Sequence, residues 1–140
     1  MLHSFAERLR EMQEVRRDER GFTLIELLIV VIIIGILAAI AVPVFLNQRQ
    51  NAESSAAKAN VRTAATAEQV AFTEGGAYVD ETALGPYGFN AAGIDPPVSG
   101  NGSGGTYCVQ STGGGATWVM REDYGAPREV GTGSPAVAGC

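Results

Sequence analysis

The sequence predicts an α+β protein: one long N-terminal helix, apolar in its first half and amphipathic in its second, packed on a small antiparallel sheet with a C-terminal disulfide loop. Three observations predict it. Residues 22–46 form a nearly unbroken apolar run; residues 47–74 are Ala-rich without Pro or Gly; and beyond a Gly- and Pro-rich stretch lie two short β-forming runs and two cysteines.

Before Phe22 the chain is charged, with Arg8, Arg10, Arg16, Arg17 and Arg20 balanced by Glu7, Glu11, Glu14, Asp18 and Glu19. The net charge of −5 therefore lies entirely from residue 22 onward. Residues 1–21 read as a charged leader, with Arg and Glu at helical spacing on a solvated helix or a disordered tail.

The 25 residues from Phe22 to Leu46 are long enough. As a helix they span ~37 Å, against a hydrocarbon core of ~30 Å. Arg16, Arg17 and Arg20 beside the span favour a cytoplasmic N-terminal side, because that bias counts Lys and Arg and gives acids little weight. The rest of the chain then faces outward. A rival reading is a secretory signal peptide cut at the A-x-A-like Ala39-Ile40-Ala41, which would release an exported disulfide-linked binding domain beginning near Val42. Such peptides have an apolar region of about 7 to 15 residues without acids. Here 17 residues, Phe22 to Ala38, precede that site and include Glu26.

Alanine is the best helix former, so the helix is expected to continue through residues 47–74 to about Thr73 and to end at Gly75-Gly76. Its outer half carries Ala57, Val61, Ala64, Ala65, Glu68, Ala71 and Phe72 on one face. Arg62, Thr66, Gln69 and Thr73 lie on the other. A stripe of small side chains lets another element approach closely, which is core packing rather than a cofactor groove.

Residues 75–105 are dominated by Gly, Pro, Ser, Asn and Asp and read as a variable loop, with turns at Leu84-Gly85-Pro86 and Asp95-Pro96-Pro97. Residues 106–140 hold the sheet. "TYCVQS" and "ATWVMR", separated by Thr112 to Gly115, give a hairpin with Tyr107, Val109 and Ser111 on one face and Cys108 and Gln110 on the other. A third short strand is expected at Arg128 to Val130, and Trp118, Tyr107 and Tyr124 are expected to pack the sheet. Cys108 and Cys140, both on the exported side, read as one disulfide closing a loop of about 33 residues, worth roughly 3 to 4 kcal/mol on the chain-entropy reading. The alternative is two unrelated buried thiols.

Several motifs carry less than their letters promise. "GNGSGG" at residues 100–105 matches G-x-G-x-x-G, but the phosphate-cradling form needs a strand before and a helix after, and here Pro96-Pro97 precede and a strand follows. Asn101-Gly102-Ser103 fits the N-glycosylation pattern, but Asn-Gly is first of all a good turn, and the turn is the reading favoured here. "REDYG", Arg121 to Gly125, reads as a solvated turn rather than a metal site. Lys58 and Arg62 share a helical face, which is too little for a nucleic-acid footprint on a chain of net charge −5. The one histidine is His3. With no other imidazole and no spare thiol, most zinc sites and His-dependent nucleophilic triads fall away, so no enzyme activity, metal or cofactor is expected.

Glu26 remains. A carboxylate near the end of a span can reach the interface and be merely tolerated. Yet "GFTLIE" after a charged leader, followed by the long apolar run with Gly35 and Pro43, resembles the N-terminus of type IV prepilins and pseudopilins from about Arg20 to Phe45. The resemblance implies the pilin fold and cleavage between Gly21 and Phe22 by a dedicated prepilin peptidase on the cytoplasmic face, with N-methylation of Phe22. The 21-residue leader is longer than the family's common short form. It also implies that Glu26 of one subunit attracts the new Phe22 amine of its neighbour during assembly, a pairing strong in low dielectric.

Gly35 and Pro43 are then candidates for melting of the helix in an assembled filament, because Pro43 removes the hydrogen bond to Ala39 and Gly35 weakens helix propensity upstream. The implied function is a structural one: a major pilin forming a helical homo-oligomer, inserted in the inner membrane beforehand and handled by an assembly platform and its ATPase. A pseudopilin of a type II secretion or DNA-uptake machine would share these features.

Overall fold

The computed structural model describes residues 21–131 and 140. The leader up to Arg20 and positions 132–139 of the C-terminal region lie outside the described residues. The chain divides into two compact units, Met1–Val42 and Pro43–Cys140.

Helix α1 runs Leu24–Gly75, 52 residues. In the first unit every helical residue is exposed; its Leu, Ile and Val side chains are 50 to 82% accessible. Among the described residues nothing packs on this all-round apolar surface, which is the state of a helix made for lipid or for other helices.

The second unit opens at Pro43, inside α1. Its helical face Ala57, Val61, Ala64, Ala65, Ala67, Glu68 and Ala71 is buried. Ala67 joins the expected stripe because it lies three residues after Ala64 and four before Ala71, on the same face. Phe72 does not. It is 41% exposed, and its ring stacks on Tyr78 with centroids 4.7 Å apart, beyond the edge of the buried face. The helix ends as expected, with Gly76 at φ +75° and its N–H donating to the Phe72 carbonyl at 2.8 Å.

Against this face lies a four-stranded antiparallel meander in the order β1-β2-β3-β4: β1 Val98–Ser103, β2 Thr106–Gly113, β3 Ala116–Arg121 and β4 Arg128–Val130. The inward face of β2 is as expected, but the strand is covered on both faces, since Cys108 is buried and Gln110 half-buried as well. Tyr107, Val109 and Ser111 are buried, with Val109 opposite Met120 and Ser111 opposite Trp118. Tyr107 joins the core cluster with Val61, Ala64, Leu84, Phe89 and Met120, and Trp118 and Tyr124 pack at its margin. β2 extends two residues beyond the expected strand end, so the β2–β3 turn is only Gly114-Gly115, both at positive φ, as a two-residue hairpin turn demands. A Cβ on Gly114 would also strike the carbonyl oxygen of Gln50 on α1.

The larger correction concerns residues 75–105. That segment is not a loop throughout: it holds two 3-10 turns, Glu81–Ala83 and Gly85–Tyr87, and the strand β1. Leu84, read as a turn residue, is fully buried between those turns. Asn101-Gly102 is not a turn either, since Asn101 pairs with Cys108 and Gly102 with Tyr107, and the turn falls at Gly104. Of the glycines in "GNGSGG", Gly100 and Gly102 serve close approach, while Gly104 makes the turn at positive φ. A Cβ on Gly102 would run into the backbone of Val79, 2.7 Å from its nitrogen, so turn-like composition here marks a strand pressed against another backbone.

Side chains fasten the helix to the sheet and loop. Ser111 Oγ donates to the Pro97 carbonyl at 2.8 Å, and Asn60 Nδ2 donates to the Pro96 carbonyl at 2.9 Å. Trp118 Nε1 donates to Ser54 Oγ at 3.0 Å, with Lys58 Nζ 4.6 Å from the indole centroid. Lys58 thus lies over an aromatic face. In "REDYG", Tyr124 N–H closes a turn on the Arg121 carbonyl at 3.0 Å, and Glu122 Oε2 accepts from the Tyr107 N–H at 3.1 Å. Cys108 and Cys140 form a disulfide, Cα atoms 5.1 Å apart.

Candidate assembly site at the start of the helix

Helix α1 begins with a reciprocal cap. Glu26 Oε2 accepts from the Thr23 N–H at 3.2 Å and from Thr23 Oγ1 at 2.9 Å, while the Glu26 N–H donates back to Thr23 Oγ1 at 3.3 Å. This is a capping box, in which the residue before the helix and the residue three positions later each satisfy an orphan donor of the first turn. The carboxylate also sits where the helix dipole favours negative charge. The sequence carried the signal: "TLIE", Thr23 to Glu26, matches the S/T-x-x-E pattern before an apolar run, and the reading of Glu26 as a lone acid overlooked Thr23.

The cap orients Glu26 without exhausting it. A carboxylate has about four lone-pair sites. Both hydrogen bonds from Thr23 fall on Oε2, and among the described residues Oε1 accepts none. Glu26 therefore has one oxygen fixed by its own chain and one facing outward, on an exposed first turn. Phe22 is 89% exposed, and a Cβ on Gly21 would meet nothing within 4 Å. The Gly21–Phe22 peptide bond is thus accessible, immediately before the helix.

Further along, Gly35 likewise has open space around it, and Pro43 lies inside α1. Each of the two units holds its own pairing: Thr23 with Glu26 in the first, Cys108 with Cys140 in the second. The helix Leu24–Gly75 contains one stretch long and apolar enough to cross a membrane, none of it buried.

Residues 16–42 match the family described as the prokaryotic N-terminal methylation motif. The N-terminal region is therefore similar to that of type IV pilins and prepilins. Among characterised relatives, the type IV major pilin protein PilA of Myxococcus xanthus is 52% identical over 61 residues, 44% of this chain and 28% of that protein. The type II secretion system core protein G of Pseudomonas aeruginosa is 44% identical over 52 residues, 37% of each chain. The type IV major alpha-pilin of Moraxella bovis is 42% identical over 57 residues, 41% of this chain and 36% of that protein. These matches span about a third of each relative's length, so the pilin likeness rests on the shared segment together with the helix-on-sheet fold.

Proposed function

We propose that this chain is the major subunit of a type IV pilus, a structural protein rather than an enzyme, whose N-terminal helix packs with those of other copies in the filament core while loop and sheet face outward. The observation that carries the reading is the union of the methylation motif at residues 16–42 with a helix whose apolar half is wholly exposed. Burying such a surface against neighbouring copies supplies adhesion at roughly 25 cal/mol per Å². The Glu26 oxygen left free by Thr23 supplies alignment, by receiving the Phe22 amine of the next subunit.

In this reading the precursor stands in the inner membrane with its leader in the cytoplasm, where a prepilin peptidase cuts after Gly21 and methylates Phe22. An assembly platform and its ATPase then lift the subunit into the growing filament. Gly35 and Pro43 let the intervening helix lose regularity as it packs. The relative from a type II secretion system favours a second reading, a pseudopilin, with the same N-terminal chemistry.

Purified surface filaments discriminate the two: long, abundant fibres made of this subunit support the pilus, and short or absent fibres support the pseudopilin. Gly21→Phe is expected to abolish processing, because the added ring occupies the open approach to the scissile bond. Immunoblotting of whole cells checks it, with only the precursor expected and a mature band contradicting the assigned site.

A further inference from the structure

Glu68 has no role in the function proposed above. It lies on the sheet-facing side of α1 and is completely buried among Ala64, Ala65, Ala71 and the segment that follows the helix. Oε2 accepts from the Val79 N–H at 3.1 Å, and Oε1 has no partner among the described residues. Nor does a cation compensate it there: the one ion pair among the described residues is Arg49–Glu53.

The charged groups facing Glu68 are acids. Asp80, in the segment after the helix, and Glu81, in the first 3-10 turn, both oppose its ionisation. From the sheet, Tyr107 adds no compensating charge; burial first, and Tyr78 next, push its hydroxyl up to about 12. Glu122 also acts on Tyr107 and is itself an acid.

What Glu68 holds is the hinge between helix and sheet. Tyr78 N–H donates to the Gly104 carbonyl at 2.9 Å, and the Tyr78 ring sits between Phe72 and Tyr107, at 4.7 and 4.8 Å. The Val79 backbone presses on Gly102 of β1. One carboxyl group thus fixes the segment that aligns the edge strand and starts the surface loop.

We propose that Glu68 is a proton-operated latch: as the neutral acid it fastens residues 76–80 to α1, and on ionisation it releases them and loosens the surface loop they lead into. The chemistry favours the neutral form in the closed state. A single N–H donor assists the anion, but a full charge buried without a cation beside two further acids is the larger effect. Burial accordingly raises the carboxyl above the ordinary carboxylate range, the Val79 N–H draws it back, and Asp80 and Glu81 add to the rise. A group raised in the folded state lends stability below its unfolded value and loses it as pH climbs through the raised value. The latch is therefore closed in acid and weakened toward alkaline pH.

The test uses the full chain in detergent micelles. Amide exchange at Val79, corrected for the intrinsic rate, is followed from about pH 5 to about pH 8 in the wild type and in Glu68→Gln, which keeps an acceptor and cannot ionise. A several-fold loss of Val79 protection with rising pH in the wild type, absent from Glu68→Gln, is the expected result; the same pH course in both overturns the latch. Should the variant fail to fold, the ¹³C carboxyl titration of wild-type Glu68 decides. A midpoint above the ordinary glutamate value of about 4.3 supports the proposal, and one at or below it overturns it.

Discussion

Cells carrying Glu26→Ala are expected to process the subunit normally yet to lose surface filaments by on the order of tenfold or more, because the Phe22 amine is then left unpaired in a low-dielectric core. The structure makes this sharper than a simple loss of charge. Glu26 also caps α1 through Thr23, so alanine removes both a helix cap and a partner for the amine. Glu26→Gln separates the two. Its amide oxygen still accepts from Thr23, but it carries no charge. If alignment depends on the ion pair, Gln fails as Ala does; if the cap alone matters, Gln restores filaments. Electron microscopy of sheared filaments, with immunoblots to confirm processing, reads both outcomes.

The second large effect falls on the second unit, Pro43–Cys140. Cys140→Ser opens the Cys108–Cys140 link across a sequence separation of 32 residues. On the chain-entropy reading this costs roughly 3 to 4 kcal/mol, a large fraction of the stability of a unit with a small core. Urea unfolding of the detergent-solubilised subunit, followed by Trp118 fluorescence, should show the loss. The wild type in reductant should match the variant, and equal midpoints for all three samples would show that the link contributes nothing.

Much of this was legible in the residues. The apolar run from Phe22 to Leu46, the Ala-rich continuation and the glycines at 75 and 76 specify the helix by propensity and punctuation, and its end at Gly75 agrees. The alternation of Tyr107, Val109 and Ser111 specifies the inward face of β2. β1 was hidden because its letters are those of a turn. Only the backbone of Val79 lying against Gly102 explains why glycine belongs in a strand there, and that contact joins residues far apart in sequence.

Leu84 was missed for a related reason, since a single apolar residue between Pro- and Gly-rich turns has no periodicity to reveal it. At the candidate site the balance differs. Gly21, Phe22 and Glu26 stand out locally, and Thr23 was available in "TLIE" but is seen to matter only once its hydroxyl and amide both meet the carboxylate. Glu68 belongs to the last kind. Its helical spacing places it on the buried face, but that acids and no cation among the described residues surround it is decided by residues 78–81 and 107 folding over it.

The most direct test of the pilin assignment is the mass of the N-terminal peptide of the subunit recovered from cells. A chain that begins at Phe22 and carries an N-methyl group is the predicted result. A chain that begins near Val42, or that still carries Arg20-Gly21 ahead of Phe22, contradicts it.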